Sequence, residues 1–383
     1  MAADINNIET WKNIPIGFFK EIEKKFEDRK SLRTYDLRNF EIDHVEVYCL
    51  LKSKVSDTPN GFLTMLMVDK PIGNLFWWDF LIESELGYIH FARSQSKIEV
   101  LTNIDSAGFD VIDFIRSNIK IYSKKINDTK KGLETHTLYV NHYKSYWECT
   151  RKLWSEIKEL KISPKEADED LERNPTQTEA RLGEFIDTNI KFHTCGKSLL
   201  LNAAFMVESY LTLLIRLTAK NDLKEYPDIL KKHLNSNFTD KLKNLKYYSF
   251  VLKTDVDINN RIITDTLKVI ELRNKYVHAD LSSRLNELGV VFFDEYYPVF
   301  PAYKYSPIVE NIVRVYQVPS FESIKFAYEA SLEFVKYLDS LFIEEEVVHA
   351  VRMIMGQNPI GFNQHTKNYS AIFSNLLVDA RFK

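Results

Sequence analysis

Arg273 and His278 stand five residues apart in Leu272-Arg273-Asn274-Lys275-Tyr276-Val277-His278-Ala279. Breaking a phosphodiester without a metal needs a proton acceptor and donor near neutral pH, and a fixed cation for the charged transition state. Histidine supplies the first property. Arginine supplies the second, because its planar fork holds two phosphate oxygens together and keeps its charge. The surrounding pattern predicts a helix over Asn259 to His278, with Ile263, Leu267, Ile270, Asn274 and Val277 forming one inward stripe that includes a polar member. A second stripe, Leu267, Glu271, Asn274 and His278, makes Asn274 and His278 neighbours one turn apart. Arg273 points about 140° away from His278 on an ideal helix, so only its length lets it approach. Such a helix end makes chemical sense at an interface, where Arg273 and His278 from two copies converge on one phosphate.

The segment from Leu272 to Ala279 resembles the signature of the HEPN family: an arginine, a polar residue directly after it, and a histidine closing the helix. The resemblance covers roughly Glu179 to Ile343. It implies an all-α, HEPN-like bundle that dimerises so that both motifs line one cleft, and a metal-independent endoribonuclease with no cofactor. On that expectation the ribose 2′-hydroxyl attacks the adjacent phosphate, leaving a 2′,3′-cyclic phosphate and a 5′-hydroxyl. His278 moves the protons, Arg273 stabilises the phosphorane, and Asn274 and Glu208 position them. Glu208 takes this role as the acid inside the apolar helix from Leu199 to Leu217, where an unpaired carboxylate would cost several kcal/mol. The implied partners are an RNA substrate, a second copy of the chain, and an antitoxin or trigger ligand; the implied setting is antiphage defence or toxicity. The alternative is a non-catalytic HEPN-like dimer that binds a nucleotide, RNA or a protein. Arg and His at a helix C-terminus are favourable there even without chemistry, because they face the negative end of the macrodipole.

Spacing alone does not single out this pair. Arg38-Asn39-Phe40-Glu41-Ile42-Asp43-His44 satisfies the same loose pattern but leads into sequence that alternates like a strand. Cys195-Gly196-Lys197-Ser198 imitates the end of a phosphate-binding loop, yet Lys191 stands where the first glycine belongs, and the stretch reads as a helix junction. His136 with His142, and His193 with Cys195, lack a second pair at metal-ligand spacing. The lysines at 231, 232, 241, 243 and 246, beside Tyr247 and Tyr248, have the makings of a basic face that guides single-stranded RNA by phosphate attraction and base stacking, but Asp222, Glu225, Asp228 and Asp240 dilute the charge and slightly favour a solvated helix face. Trp77 and Trp78 read as core residues.

The elements that must position these residues follow from the patterning of the chain. Its 383 residues, 45% hydrophobic and 27% charged, fit an ordinary globular protein, and a net charge of -3 excludes an overall cationic field for nucleic acid or membranes. Between Glu41 and Ile104, short apolar and aromatic runs such as His44 to Tyr48 and Gly61 to Val68 predict an antiparallel meander. The absence of alternating helices disfavours a doubly wound nucleotide-binding fold. The expected organisation is an α+β sensor or regulatory domain over 1–162 ending in helices, a linker over 163–178, the HEPN-like helical domain over 179–345, and a C-terminal helix and tail over 346–383. Helices are expected near 109–127, 140–160, 181–193, 198–219, 240–250, 259–278 and 321–342, with an aromatic insertion around 290–301 packed on the bundle. The start lacks the features of a signal peptide, and Leu199 to Leu217 is too polar for a membrane span and reads as a buried helix. Three scattered cysteines support neither a disulfide framework nor a zinc cluster, which fits a reducing cytoplasm.

Overall fold

The computed structural model describes residues 5–14, 33–55, 76–94, 97–105, 108–160, 162–173, 175–277, 290–302, 304–316, 319–343, 345–372 and 378–379. The chain forms two compact units that divide between Thr135 and His136. The first is mixed α and β with an antiparallel sheet, and the second is mostly helical.

In the first unit the order is β1 (Lys12–Asn13), β2 (Arg33–Asp36), α1 (His44–Lys54), β3 (Phe76–Ser84), β4 (Gly87–Ser94), β5 (Ile98–Thr102), α2 (Val111–Ile121) and α3 (Ser123–Lys131). The strands make one five-stranded sheet in the order β1-β3-β4-β5-β2, antiparallel throughout. Alternation selects its core face: Phe80 sits opposite Phe91 and Ile82 opposite Ile89, all buried with Ile98 and Val100. Helices α1 and α2 cover this face through Val47, Leu50, Leu51, Phe114 and Ile115. The expected strand at His44 to Tyr48 is instead the first turn of α1. The Asp43 side chain accepts a hydrogen bond from the Val45 amide at 2.8 Å and caps that helix, and Val47, Leu50 and Leu51 then bury at helical spacing. The expected strand over Gly61 to Val68 lies outside the described residues.

The second unit begins with β6 (His136–Tyr139) and α4 (His142–Glu159). Then come α5 (Pro164–Arg173), α6 (Pro175–Thr218), the short α7 (Asn221–Glu225), α8 (Pro227–Leu234), α9 (Phe238–Lys243) and α10 (Leu245–Tyr248), and α11 (Arg261–Val277). The hairpin β7 (Phe292–Asp294) and β8 (Tyr297–Val299), α12 (Pro307–Tyr316), α13 (Phe321–Ser340), α14 (Glu345–Met355), β9 (Ile360–Asn363), β10 (Tyr369–Ala371) and β11 (Val378–Asp379) complete it. Helix α6 is the axis, packed by α4, α11 and α13 around Leu199, Leu200, Ala203, Val207, Tyr210, Leu211 and Leu214. By length and composition Ala180–Thr218 meets the requirements of a membrane span, and in this fold its apolar residues from Leu199 onward form the core of the unit.

Several expectations change here. Helix α4 belongs to the helical unit, because Trp147, Leu153, Trp154 and Ile157 pack with the core around α6; Trp154 stacks on Tyr328 at 4.9 Å. The stretch expected as a linker is helical. Ser163 Oγ accepts from the Glu166 amide at 3.4 Å, and Pro164 occupies the first helical position of α5, where a missing N–H costs nothing. The two helices expected over 181–193 and 198–219 are one continuous helix. Gly196 is interior to it because a Cβ there would lie 2.5 Å from Ile324 Cδ1 on α13, so glycine permits the close approach of the two helices. The aromatic insertion is a hairpin that leaves Phe292, Phe293, Tyr296 and Tyr297 exposed, not packed on the bundle. The expected tail contributes β9, β10 and β11 to a four-stranded sheet in the order β11-β10-β9-β6, so the unit is mostly rather than wholly helical. Buried Asn141 fastens this sheet to α14: its Nδ2 donates to the carbonyls of Met355 and Gln357, both at 2.8 Å, while its Oδ1 caps α4 at the Lys144 amide.

Candidate functional site

Asn260 starts α11 by accepting from the Ile262 amide through its side chain at 2.9 Å. From there the inward face runs Ile263, Thr266 and Val269, all fully buried, and continues to Arg273. This face is rotated from the expected one. Thr266 is hidden because its hydroxyl donates to the Ile262 carbonyl at 2.8 Å, so a polar residue occupies a core position that a count of apolar residues assigns outward. As a consequence Arg273 points into the unit and Asn274 is exposed.

Helix α6 meets Arg273 with Glu208. Arg273 Nη1 donates to Glu208 Oε2 at 3.0 Å and Nη2 donates to Oε1 at 3.1 Å, a bidentate fork. Phe205, one turn earlier on the same face of α6, lies under the guanidinium, its ring centre 5.5 Å from Cζ, and Tyr146 of α4 backs Phe205 at 5.4 Å. The Arg273 side chain is 16% exposed and that of Glu208 35%, so the pair is shielded on one flank and open on the other. Arg273 Nε is buried with no acceptor among the described residues. His278 lies outside the described residues, which end on this helix at Val277. Of the four residues singled out in the sequence, Glu208 and Arg273 are therefore in direct contact, and Asn274 is one position further along α11 on its exposed side.

On its open flank Glu208 faces a cleft of about 1010 Å³. Lys241, at the end of α9, lines the cleft half-buried. Burial pulls its amine below the usual lysine range, and the negative charge of Glu208 only partly offsets this. The C-terminal sheet lines the same cleft through Ile360, Phe362 and Tyr369. Lys241 was visible in the sequence only as one of a row of lysines, and Phe362 and Tyr369 carried no signal, because their relation to Glu208 arises from pairing of β9 with β6 more than two hundred residues earlier.

The remaining candidates have structural roles. Arg38 is paired with Asp36 at 2.6 Å, and His44 opens α1 rather than closing a helix. His136 is bound through Nδ1 to Ser370 Oγ at 2.9 Å and through Nε2 to Asn363 Nδ2 at 3.3 Å, which commits both ring nitrogens to the sheet. The cysteines are free thiols, and no cluster of three or more His, Cys, Asp or Glu able to hold a metal ion occurs among the described residues. Tyr248 packs against His233 with tilted rings whose centres are 4.0 Å apart, while Tyr247 is exposed.

No protein-family model matches the chain, and no curated protein or solved structure is significantly similar to it.

Proposed function

We propose that the helical unit is a HEPN-like domain acting as a metal-independent endoribonuclease, with the α+β unit as its sensor or regulator. The observation that carries this reading is the bidentate Glu208–Arg273 pair, which fixes an arginine on the last turns of a helix five residues before a histidine. An arginine held by a carboxylate and an aromatic face is oriented before any phosphate arrives, and preorganised charge is what a phosphorane-like transition state requires. In this proposal His278 takes the proton from the ribose 2′-hydroxyl and returns one to the leaving 5′-oxygen. Arg273 stabilises the charge on the phosphorane, and Asn274, on the exposed side of the helix end, orients the phosphate. Two copies of the chain would form the cleft. Restraint by an antitoxin or a trigger ligand, and service as a toxin or in antiphage defence, belong to the same proposal.

The test is labelled single-stranded RNA incubated with the purified full chain in EDTA, against His278→Ala and Arg273→Ala. Expected are products ending in 2′,3′-cyclic phosphate, with loss of at least about a hundredfold in rate for either variant, the range typical of general acid–base and electrostatic groups. Cleavage that survives both substitutions, or that EDTA abolishes, would refute the assignment.

A second reading has its own support. Both terminal nitrogens of Arg273 are already engaged by Glu208, which neutralises the guanidinium and favours a non-catalytic HEPN-like module that dimerises and binds RNA, a nucleotide or a protein. Wild-type protein that binds RNA without cutting it would decide for this alternative.

A further inference from the structure

The cleft beside Glu208 is open to solvent, is lined by residues of the helical unit, and brings together two chemically different groups of side chains. The C-terminal sheet presents Tyr139, Phe362 and Tyr369 as a continuous aromatic surface, with Phe362 6.3 Å from Tyr139 and 4.9 Å from Tyr369 between ring centres. The cations Arg216 of α6 and Lys241 of α9 line the same cleft. Arg216 Nη1 donates to the Tyr369 hydroxyl at 3.3 Å, which holds the guanidinium beside the aromatic wall. Neither Arg216 nor Lys241 makes an ion pair with a described residue. The acid lining the cleft, Glu208, has both oxygens committed to Arg273. Burial holds the Lys241 amine below its usual range, and the nearby Glu208 charge offsets this only in part.

We infer that this cleft is a binding site for a nucleotide, its base lying on the Phe362–Tyr369 wall and its phosphates held by Arg216 and Lys241. Aromatic faces accept any base, and two cations without ion pairs among the described residues, both lining a concave site, select an anion over a neutral ligand. The volume, about 1010 Å³, is at the upper end for small-molecule sites and suits one nucleotide rather than a polymer strand. The Ser209 and Thr212 hydroxyls on α6 add donors and acceptors to the cleft. This inference stands apart from the Arg273–His278 chemistry, since it uses neither residue and is read by binding.

The experiment is calorimetric titration of the full chain, in EDTA, with ATP and GTP, and separately with adenosine and inorganic triphosphate. Expected is saturation by at least one nucleotide at one per chain, with adenosine and triphosphate each bound about tenfold or more weaker than the intact nucleotide. Arg216→Gln and Lys241→Gln should each weaken nucleotide binding about tenfold, the loss expected for a charge-assisted contact, and Tyr139→Ser severalfold. Arg216 and Tyr139 are exposed, so those variants retain the fold and keep the result decisive. Failure of both nucleotides to saturate the wild type at about 1 mM, the limit of weak specific affinity, would overturn the inference. So would affinity unchanged in Arg216→Gln and Lys241→Gln, or triphosphate bound as tightly as ATP. A His278→Ala protein that no longer cuts RNA but binds nucleotide normally separates this site from the proposed nuclease.

Discussion

Removing the Glu208 carboxylate while leaving Arg273 in place tests the packing of α6 against α11 most directly. The pair makes two charge-assisted hydrogen bonds, at 3.0 and 3.1 Å, over an aromatic ring. Fully exposed ion pairs contribute about 0–1 kcal/mol, and breaking a fully buried one costs about 3–5 kcal/mol. With side chains 16% and 35% exposed, the pair sits between these limits and solvent screens it in part. Glu208→Ala should therefore destabilise the helical unit by about 2 kcal/mol, roughly a 30-fold change in the folded-to-unfolded ratio. Arg273→Ala should cost about as much. The double variant should lose about 2.5 kcal/mol rather than the sum of about 4, giving a coupling of about 1.5 kcal/mol, within the range for residues in contact. Urea denaturation followed by far-ultraviolet circular dichroism reads this cycle, since helix dominates the signal and lies mostly in this unit. Losses that add to within about 0.3 kcal/mol would mean that the two side chains do not interact in solution. The oriented arginine on which the proposed chemistry depends would then have no basis.

Two further predictions use the same fold. Gly183 and Gly196 are both interior to α6, yet a Cβ at Gly183 meets nothing within 4 Å while one at Gly196 meets buried Ile324 at 2.5 Å. Gly183→Ala should raise stability by up to about 1 kcal/mol through helix propensity, whereas Gly196→Ala should lose about 1–2 kcal/mol through overpacking; thermal melts showing the same sign for both would contradict the α6–α13 packing. Burial holds the His233 imidazole below its usual range, with Lys241 adding to the shift, and its Nε2 is buried without a hydrogen-bond partner among the described residues. Its folded pKa is thus depressed. At pH above the unfolded value of about 6.5 both states are neutral and nothing is lost; as pH falls through that value the unfolded chain takes up a proton that the folded one refuses, and stability declines until the folded pKa is passed. His233→Gln should flatten the dependence of the melting temperature on pH between about 7.5 and 5, and an unchanged slope would refute the assignment.

What the sequence makes legible follows physical range. Glu208 stood out because an acid within an apolar helix needs a partner, and Arg273 lay on the next long amphipathic helix. The rotation of α11 was not legible, because a threonine that hydrogen-bonds its own helix packs like an apolar residue and shifts the apparent stripe from Arg273 to Asn274. Pro164 and Pro175 suggested a break, although Ser163-Pro164-Lys165-Glu166 also satisfies the rules for starting a helix, with a capping serine, a first-position proline and a glutamate three residues after the serine. The alternation in His44 to Tyr48 is too short to distinguish strand from helix once Asp43 is counted as a cap. The C-terminal strands and the cleft they close depend on the register of His136 with Asn363 and Tyr139 with Ile360, a contact over more than two hundred residues that no local pattern encodes.

Helix α6 runs through 44 residues, about 66 Å of uninterrupted backbone hydrogen bonding. Its two ends live in different surroundings: the stretch around Leu199 to Leu214 is walled by three helices, while the earlier turns near Phe185 touch a small cluster with Ala167 and Val309. Amide protons along this one rod therefore exchange with solvent on different clocks. Those near Glu208 wait for the whole unit to open, and those in the first turns escape through local fraying, so a single helix carries a graded record of how the unit comes apart.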